Sequence, residues 1–196
     1  MYSALLSLDG KKVTVVGGGE IAFRKVSAFL DEGCEIQVIA PRFIEAFETL
    51  GHSVNKVYKY YEEGDCAGSF MVIAATDDPE VNQQIGLFCK RAKILCNVVD
   101  DKDLSSFTVP ATLRRGDLNI AISTGGASPS LAVKIKQELE ERYDESYGEY
   151  IFLLGKIRDK VLATVKDENE KKKILKHIIT LGLKELEAYE KSYFGC

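Results

Sequence analysis

The chain has 196 residues, of which 45% are hydrophobic and 29% charged, and its formal net charge is −4 at pH 7. This composition is typical of a globular protein; the net negative charge argues against nucleic acid as the main partner, and no apolar run is long enough to cross a membrane. The 5 cysteines show no CxxC spacing and the N-terminus lacks the pattern of a signal peptide, so we expect a cytoplasmic protein without a zinc site or a disulfide framework.

Strand and helix signals alternate over the first half of the chain. Short apolar or β-branched runs predict strands at residues 13–16, 36–39, 54–58, 70–75 and 94–99. Helical spacing follows at residues 21–30 and 43–50, and Asp78 is a favourable N-cap for a further helix that begins with Pro79. This alternation predicts a parallel sheet with helices on both faces.

The pattern changes after residue 100. Strands are predicted at residues 106–110 and 118–123, and a polar turn at residues 114–117 lies between them. A helix then begins at Ser128, and its apolar stripe of Leu131, Ile135 and Leu139 is expected to be buried. Beyond residue 146 the spacing is only helical, so the chain divides near residues 113 and 145.

The most informative motif lies between the first strand and the first helix. It is G-x-G-x-x-A, with Gly17, Gly19 and Ala22 at the named positions. The first glycine permits a tight turn, the second lets the backbone approach a pyrophosphate, and the small third residue allows close helix packing. An anion would lie on unpaired N–H groups at the helix N-terminus, so the motif favours a dinucleotide site.

Asp100 and Asp101 follow the fifth predicted strand, at the edge of the sheet where α/β proteins bind their ligands. A carboxylate there can act as a base, an acid or a metal ligand. We favour Asp100, because it ends the strand whereas Asp101 enters the loop. The alternative is a solvated loop start with an N-cap, and the sequence does not separate the two.

Two other strand ends face the same predicted edge. Thr76 follows the fourth strand and is a candidate for contacting a nicotinamide ribose, while Asp78 caps the next helix. Arg42 follows the second strand, where an NAD site usually carries an acidic residue. An arginine there can hold a 2′-phosphate, stack on adenine or lie in solvent, so these residues leave NAD and NADP as alternatives.

Two features of the second half allow both a binding and a structural interpretation. Gly125 and Gly126 precede the capped helix and form either an anion site or a flexible connection. Arg114 and Arg115 form either a basic lip for an acidic ligand or an exposed turn, and we favour the turn.

Several ordered blocks together resemble one known family. The blocks are Gly17-Gly18-Gly19-Glu20-Ile21-Ala22, Ala74-Ala75-Thr76-Asp77-Asp78, Cys96-Asn97-Val98-Val99-Asp100, Ser106-Phe107 with Pro110, and Ser123-Thr124-Gly125-Gly126-Ala127-Ser128-Pro129. In order and spacing they resemble the sirohaem synthase family of precorrin-2 dehydrogenases, over residues 8–140. The C-terminal residues beyond them match only in being helical.

The resemblance implies an α/β fold with a Rossmann-type parallel sheet, a central dimerisation region and a small C-terminal helical domain. We assign these parts to residues 1–113, 114–145 and 146–196. Family members are homodimers that exchange strands and helices in the central region, which accounts for the change of pattern after residue 100.

The resemblance also implies a reaction, in which NAD accepts a hydride from precorrin-2 to give sirohydrochlorin. Some members also insert Fe²⁺ into sirohydrochlorin, and the sequence leaves this ferrochelatase step open. Asp100 is implied as the catalytic carboxylate. The implied cofactor-binding residues are Gly17, Gly19, Glu20, Ile21, Pro41, Arg42 and Thr76.

Two other functions remain as alternatives. A nucleotide-sensing Rossmann module without catalysis needs the glycine turn but not Asp100. An unrelated small dehydrogenase normally shows a Tyr-x-x-x-Lys pair or a catalytic histidine, and neither Tyr58 nor His52 provides one. One departure from the family is Thr124, where members of the fused type carry serine.

Overall fold

A parallel sheet occupies the centre of the first part of the chain. Its strands are β1 (Lys12–Val16), β2 (Glu35–Ala40), β3 (Asn55–Tyr58), β4 (Met71–Ala74) and β5 (Leu95–Val98). They lie in the order β3-β2-β1-β4-β5, and every neighbouring pair is parallel. The chain order reverses between β1 and β4, and doubly wound folds bind their ligands in the crevice beyond the carboxyl ends of the strands at that point.

Two hydrophobic clusters cover the two faces of this sheet. One contains Val13 and Ile73 and packs against α1 (Glu20–Ser27) and a 3₁₀ helix at Glu45–Ser53. The other contains Val72 and packs against α2 (Pro79–Ala92). Because both faces of the sheet centre are buried, β4 reads as a continuous apolar run, Met71-Val72-Ile73-Ala74, which the sequence marks clearly.

The structure, a computed structural model, describes residues 2–194, and the chain divides between Val109 and Pro110 into two units. The sheet confirms the predicted α/β, Rossmann-type fold of the first unit. The three-part division at residues 113 and 145 stays a prediction. Among the described helices, none has both the length and the apolar composition that crossing a membrane requires.

The second unit combines a β-hairpin with helices. Its elements are β6 (Ala111–Arg115), β7 (Leu118–Ile122), α3 (Pro129–Arg142), α4 (Ser146–Thr164), α5 (Glu168–Ile178) and α6 (Leu183–Phe194). The strands β6 and β7 pair antiparallel around a turn at Gly116. The last three helices share one core, which includes Ile157, Ile178 and Leu186.

The predicted strand at residues 106–110 is wrong, because that segment is joined to β5 by side-chain hydrogen bonds and by one backbone bond, from the N–H of Ser106 to the carbonyl oxygen of Cys96 at 2.8 Å, and forms no strand ladder. The Ser106 hydroxyl accepts the backbone N–H of Cys96 at 2.8 Å, and the Asn97 amide donates to the carbonyl oxygen of Phe107 at 3.2 Å. The hairpin strand begins only after Pro110, which has no backbone N–H to donate to a ladder.

The expected burial of the α3 stripe is also wrong within the single chain. Leu131 is 47% exposed, Ile135 and Leu139 are only half-buried, and the buried residue of α3 is Ala132. The spacing predicted the helix correctly, but a stripe is buried only where another element lies against it.

Candidate active site

A cavity of about 670 Å³ lies above the carboxyl ends of β1, β2 and β4. Small-molecule sites are typically 300–1,000 Å³, so this volume suits a bound cofactor. All the cofactor-binding residues named from the sequence line this one cavity: Gly17, Gly19, Glu20, Ile21, Pro41, Arg42 and Thr76. The structure thus brings together residues from strand ends that are far apart along the chain.

The glycine turn between β1 and α1 is clamped on two sides. A Cβ atom on Gly17 would lie 2.1 Å from the carbonyl oxygen of Ala75, and Gly17 has a φ of +132°, which side chains rarely adopt. A Cβ atom on Gly18 would lie 2.1 Å from the carbonyl oxygen of Arg42. The first two glycines therefore allow the ends of β2 and β4 to close against the turn.

Gly19 faces open space instead, since a Cβ atom there would meet nothing within 4 Å. Gly19 is the N-cap residue of α1, and no side chain caps this helix. The first N–H groups of a helix have no partner within the helix and carry a partial positive charge. Open backbone amides facing a cavity suit the pyrophosphate of a dinucleotide.

The end of β2 contributes a basic residue and no acidic one. Pro41 and Arg42 follow β2, are exposed and line the cavity. The backbone N–H of Ile44 donates to the carbonyl oxygen of Gly18 at 2.9 Å, which ties this segment to the glycine turn. The exposed arginine is therefore available to a ligand in the cavity.

The end of β4 is organised by hydrogen bonds around Thr76. The Thr76 hydroxyl lies 2.9 Å from the carbonyl oxygen of Asp78 and accepts the Asp78 N–H at 3.2 Å. The carboxylate of Asp78 accepts the N–H groups of Glu80 and Val81, which confirms the predicted N-cap of α2. Thr76 is consequently held in place before any ligand arrives.

Asp100 does not line the cavity, but one buried side chain connects it to a residue that does. The side-chain amide of Asn82 on α2 is 1% exposed. Its Nδ2 donates to Asp100 Oδ2 at 3.1 Å and to the carbonyl oxygen of Thr76 at 3.2 Å. Its Oδ1 accepts the Thr76 N–H at 3.0 Å. The Asn82 side chain thus links the candidate carboxylate of Asp100 to Thr76, which lines the cavity.

The two adjacent aspartates after β5 have different surroundings. Asp101 Oδ1 accepts the backbone N–H groups of Asp103 at 2.8 Å and Leu104 at 3.1 Å, so its carboxylate closes a local turn. Asp100 is exposed, and its carboxylate bonds across to α2. This difference favours Asp100 as the chemically available group.

Three thiols lie in the core of the sheet behind this site. Cys66, Cys89 and Cys96 are at most 2% exposed, and the four cysteines within residues 2–194 are all free. A hydrogen bond to Cys89, together with burial, raises the pKa of the Cys66 thiol. These thiols pack as small hydrophobic groups. Cys196 lies outside the described residues.

Among the second-unit residues singled out from the sequence, Arg115 and Thr124 have partners within that unit. Arg115 lies in β6, is 14% exposed in its side chain and forms an ion pair with Glu145 at 3.4 Å. Gly125 and Gly126 both have positive φ, and the Thr124 hydroxyl accepts the Ser128 N–H at 3.1 Å. No group of three or more His, Cys, Asp or Glu side chains within residues 2–194 is arranged to hold a metal ion.

The sequence interpretation missed Gly18 and Asn82. The contact of Gly18 with the segment after β2 is a tertiary feature with no local signal. Asn82 did have a signal, since it is polar, lies between the apolar Val81 and Ile85, and follows the N-cap Asp78 by one helical turn. Residues four apart lie on the same face of a helix, so the position of Asp78 indicated that Asn82 lies on the same face of α2 as Asp78.

Two family models match the chain. One is described as NAD(P)-binding and covers residues 4–111, which is more than half of the chain. The other is described as sirohaem biosynthesis protein, central, and covers residues 115–142. The first match coincides with the sheet and its cavity, and the second with β7 and α3.

Relatives of known name match over most of the chain. A precorrin-2 dehydrogenase of Priestia megaterium is 37% identical over 91% of this chain and 89% of its own length. A siroheme synthase of Pseudomonas entomophila is 36% identical over 84% of this chain, which spans only 36% of that longer protein. The solved structure of SirC, a precorrin-2 dehydrogenase, superposes with a TM-score of 0.82 at 33% identity, covering 98% of both chains.

Proposed function

The chain belongs to the sirohaem synthase family of precorrin-2 dehydrogenases, and on this basis we propose that it oxidises precorrin-2 to sirohydrochlorin with NAD, a step in sirohaem biosynthesis. One observation carries the proposal. The N-terminus of α1 is uncapped and opens at Gly19 into a cavity shared by the ends of β1, β2 and β4. A dinucleotide fits there because its pyrophosphate needs backbone donors and no intervening side chain.

The roles of the cavity residues follow from their positions along the crevice. Gly17, Gly19, Glu20 and Ile21 hold the pyrophosphate and its adjoining ribose through the glycine turn and the first turn of α1. Pro41 and Arg42 lie at the adenosine end, and Thr76 lies at the nicotinamide end. Their common lining of one cavity supports this division of roles.

Asp100 is the proposed catalytic carboxylate. Precorrin-2 loses one hydride and one proton when it becomes sirohydrochlorin. Bound NAD supplies the hydride acceptor, and the proton needs a base of the protein. The position of Asp100 after β5 and its link through Asn82 to Thr76 support Asp100 as that base.

The alternative, a nucleotide-sensing module without catalysis, is not favoured. Such a module needs the glycine turn but has no use for a carboxylate tied to the nicotinamide end of the cavity. The relative from Priestia megaterium, which is named as a dehydrogenase, is matched over 89% of its length. Both observations favour an enzyme.

A homodimer and a cytoplasmic location complete the proposal. The apolar stripe of α3, in which Leu131 is exposed and Ile135 and Leu139 are only half-buried, supports a second copy of the chain as the partner, since a contiguous exposed apolar surface marks an interaction site. Free thiols at Cys34, Cys66, Cys89 and Cys96 support a reducing compartment.

The proposal is tested by an anaerobic assay of the purified protein with precorrin-2 and NAD⁺. We expect NADH to form together with the absorbance spectrum of sirohydrochlorin. A protein that binds NAD⁺ but forms no NADH would instead be a sensor. A second reaction with sirohydrochlorin and Fe²⁺ decides the ferrochelatase step, since formation of sirohaem above a protein-free control establishes it.

A further inference from the structure

The side-chain amide of Asn82 has a hydrogen-bond partner for each of its two hydrogens and for its oxygen, although the residue is only 1% exposed. Both hydrogens of Nδ2 are donated, one to Asp100 Oδ2 and one to the carbonyl oxygen of Thr76. Oδ1 accepts the Thr76 N–H and lies 2.8 Å from the Thr76 hydroxyl. A buried amide so completely satisfied has one orientation, because the reversed amide would set its oxygen against a carboxylate and a carbonyl.

The Asn82 side chain therefore hydrogen-bonds to residues at the ends of two strands. Thr76 follows β4 and lines the cavity, and Asp100 follows β5. No other side chain in the described part of the chain hydrogen-bonds to both residues. The α2 helix that carries Asn82 is fixed at its start by the Asp78 cap, one turn before Asn82.

From this geometry, and on the basis of the proposed function, we infer that Asn82 is a positioning residue for the dehydrogenation. It fixes Asp100 Oδ2, and it leaves Oδ1 to accept the proton of the substrate. It also ties this carboxylate to the backbone at the nicotinamide end, so that base and hydride acceptor keep a fixed separation. Holding two reacting groups in register is worth large factors in rate, and a misplacement of 1 Å can cost about 10²-fold.

Two replacements show why an asparagine suits this role. An aspartate would keep the oxygen that accepts from Thr76 but would lose both donors and face Asp100 with a second carboxylate. A serine would be neutral but too short to reach from α2 to both Thr76 and Asp100. These two changes therefore remove the bond to Asp100 in different ways.

The test compares Asn82→Asp and Asn82→Ser with Gln83→Glu in the anaerobic assay. Gln83 is the next residue of α2 and is exposed, so Gln83→Glu makes the same amide-to-carboxylate change without the bonds. We expect kcat to fall about 10²-fold in both Asn82 variants, while KM for NAD⁺ changes by less than about threefold. The Gln83 variant should keep the wild-type kcat.

Two further measurements separate the possible outcomes. Thermal unfolding and NAD⁺ titration show whether each variant is folded, and Asn82→Ser decides if the buried charge of Asn82→Asp prevents folding. A folded Asn82 variant with the wild-type kcat overturns the inference, as does an equal loss in Gln83→Glu, which would assign the effect to added charge. A wild-type protein that forms no NADH overturns the proposed function, and the inference with it.

Discussion

The sheet of the first unit and the hairpin with α3 in the second unit differ in how much of their apolar surface the single chain buries. Val13, Val15 and Ile73 in the sheet are 0% exposed, and β4 is buried along its whole length. Within residues 110–142, all of which the structure describes, only Leu113 and Ala132 are buried. The first region is thus complete within one chain, whereas the second is not.

The two regions therefore have different proposed roles, one in binding and chemistry and the other in assembly. The cavity, its glycine turn and the Asn82 link to Asp100 all lie in the first unit, on elements with their own core. A precise site needs such rigid support. The α3 helix instead leaves Leu131 exposed and Ile135 and Leu139 only half-buried, as an element does when a partner completes its core. The helices α4, α5 and α6 differ from the hairpin and α3, because they share an internal core of their own.

The chemistry should be removable while the cofactor cavity of the first region stays intact. Asp100→Ala should lower the rate of NADH formation about 10²- to 10⁴-fold, the contribution typical of a general base. Because Asp100 is outside the cavity lining, NAD⁺ affinity should stay near its wild-type value, whereas the unfolding temperature should fall by a few degrees, since one Nδ2 hydrogen of the buried Asn82 loses its partner. Steady-state kinetics, NAD⁺ titration and calorimetry measure these quantities. Unchanged turnover would remove the catalytic assignment of Asp100.

The glycine turn tests how strongly the first region depends on close packing. Gly17→Ala should destabilise the first unit by about 3 kcal/mol or more, from a Cβ clash and a backbone conformation unfavourable for alanine. The clash is with the carbonyl oxygen of Ala75, 2.1 Å from the new Cβ. Gly19→Ala is the matched control, because its Cβ meets nothing within 4 Å and its φ is −93°. Similar unfolding curves for the two variants would contradict the packing argument.

Gly19→Asp should separate stability from binding within the same turn. Aspartate is a good N-cap, so it should stabilise the ligand-free protein by a few tenths of a kcal/mol by accepting the first N–H groups of α1. The same carboxylate would occupy and repel the site of the pyrophosphate, and NAD⁺ binding should be lost. Thermal unfolding with and without NAD⁺ checks both effects. Retained stabilisation by NAD⁺ would argue against a pyrophosphate at this turn.

The incomplete region predicts an effect on assembly. Leu131→Glu should weaken the proposed homodimer by about 2 kcal/mol or more, since it places a charge on an apolar side chain that the second copy would cover. Gln137→Glu, which adds the same charge at another exposed position of α3, is the control. Sedimentation velocity over a dilution series compares the two variants. If Leu131→Glu associates as the wild-type protein does, α3 is not the dimer surface.

Matched helix caps give the smallest effects and test whether the two units unfold separately. Asp78 caps α2 in the first unit, and Asp167 caps α5 in the second by accepting the Glu170 N–H at 2.7 Å. Replacing either aspartate by alanine should cost about 1 kcal/mol. Each change should shift only the unfolding transition of its own unit, as followed by hydrogen exchange of α2 and α5. A common shift in both units would show that they unfold together.

Local signals account for what was predicted correctly. The strands of the sheet, the Asp78 cap and the glycine turn are each encoded in a few consecutive residues, because apolar runs, cap side chains and glycines act over one or two turns of chain. The predicted strand at residues 106–110 and the buried α3 stripe were wrong for the opposite reason. Ser106 bonds to Cys96 through both its side chain and its backbone N–H without starting a strand ladder, and the neighbours of Leu131 depend on the whole fold.

By itself, the sequence determined the α/β alternation, the position of the glycine turn and the choice of Asp100 as the candidate carboxylate. The tertiary structure alone decided that Asn82 joins Asp100 to Thr76, and that Ala75 and Arg42 close against Gly17 and Gly18. Backbone propensity is set by neighbours in the chain. Hydrogen bonds and close approaches between strand ends are set by the packing of the sheet, which no short stretch of residues contains.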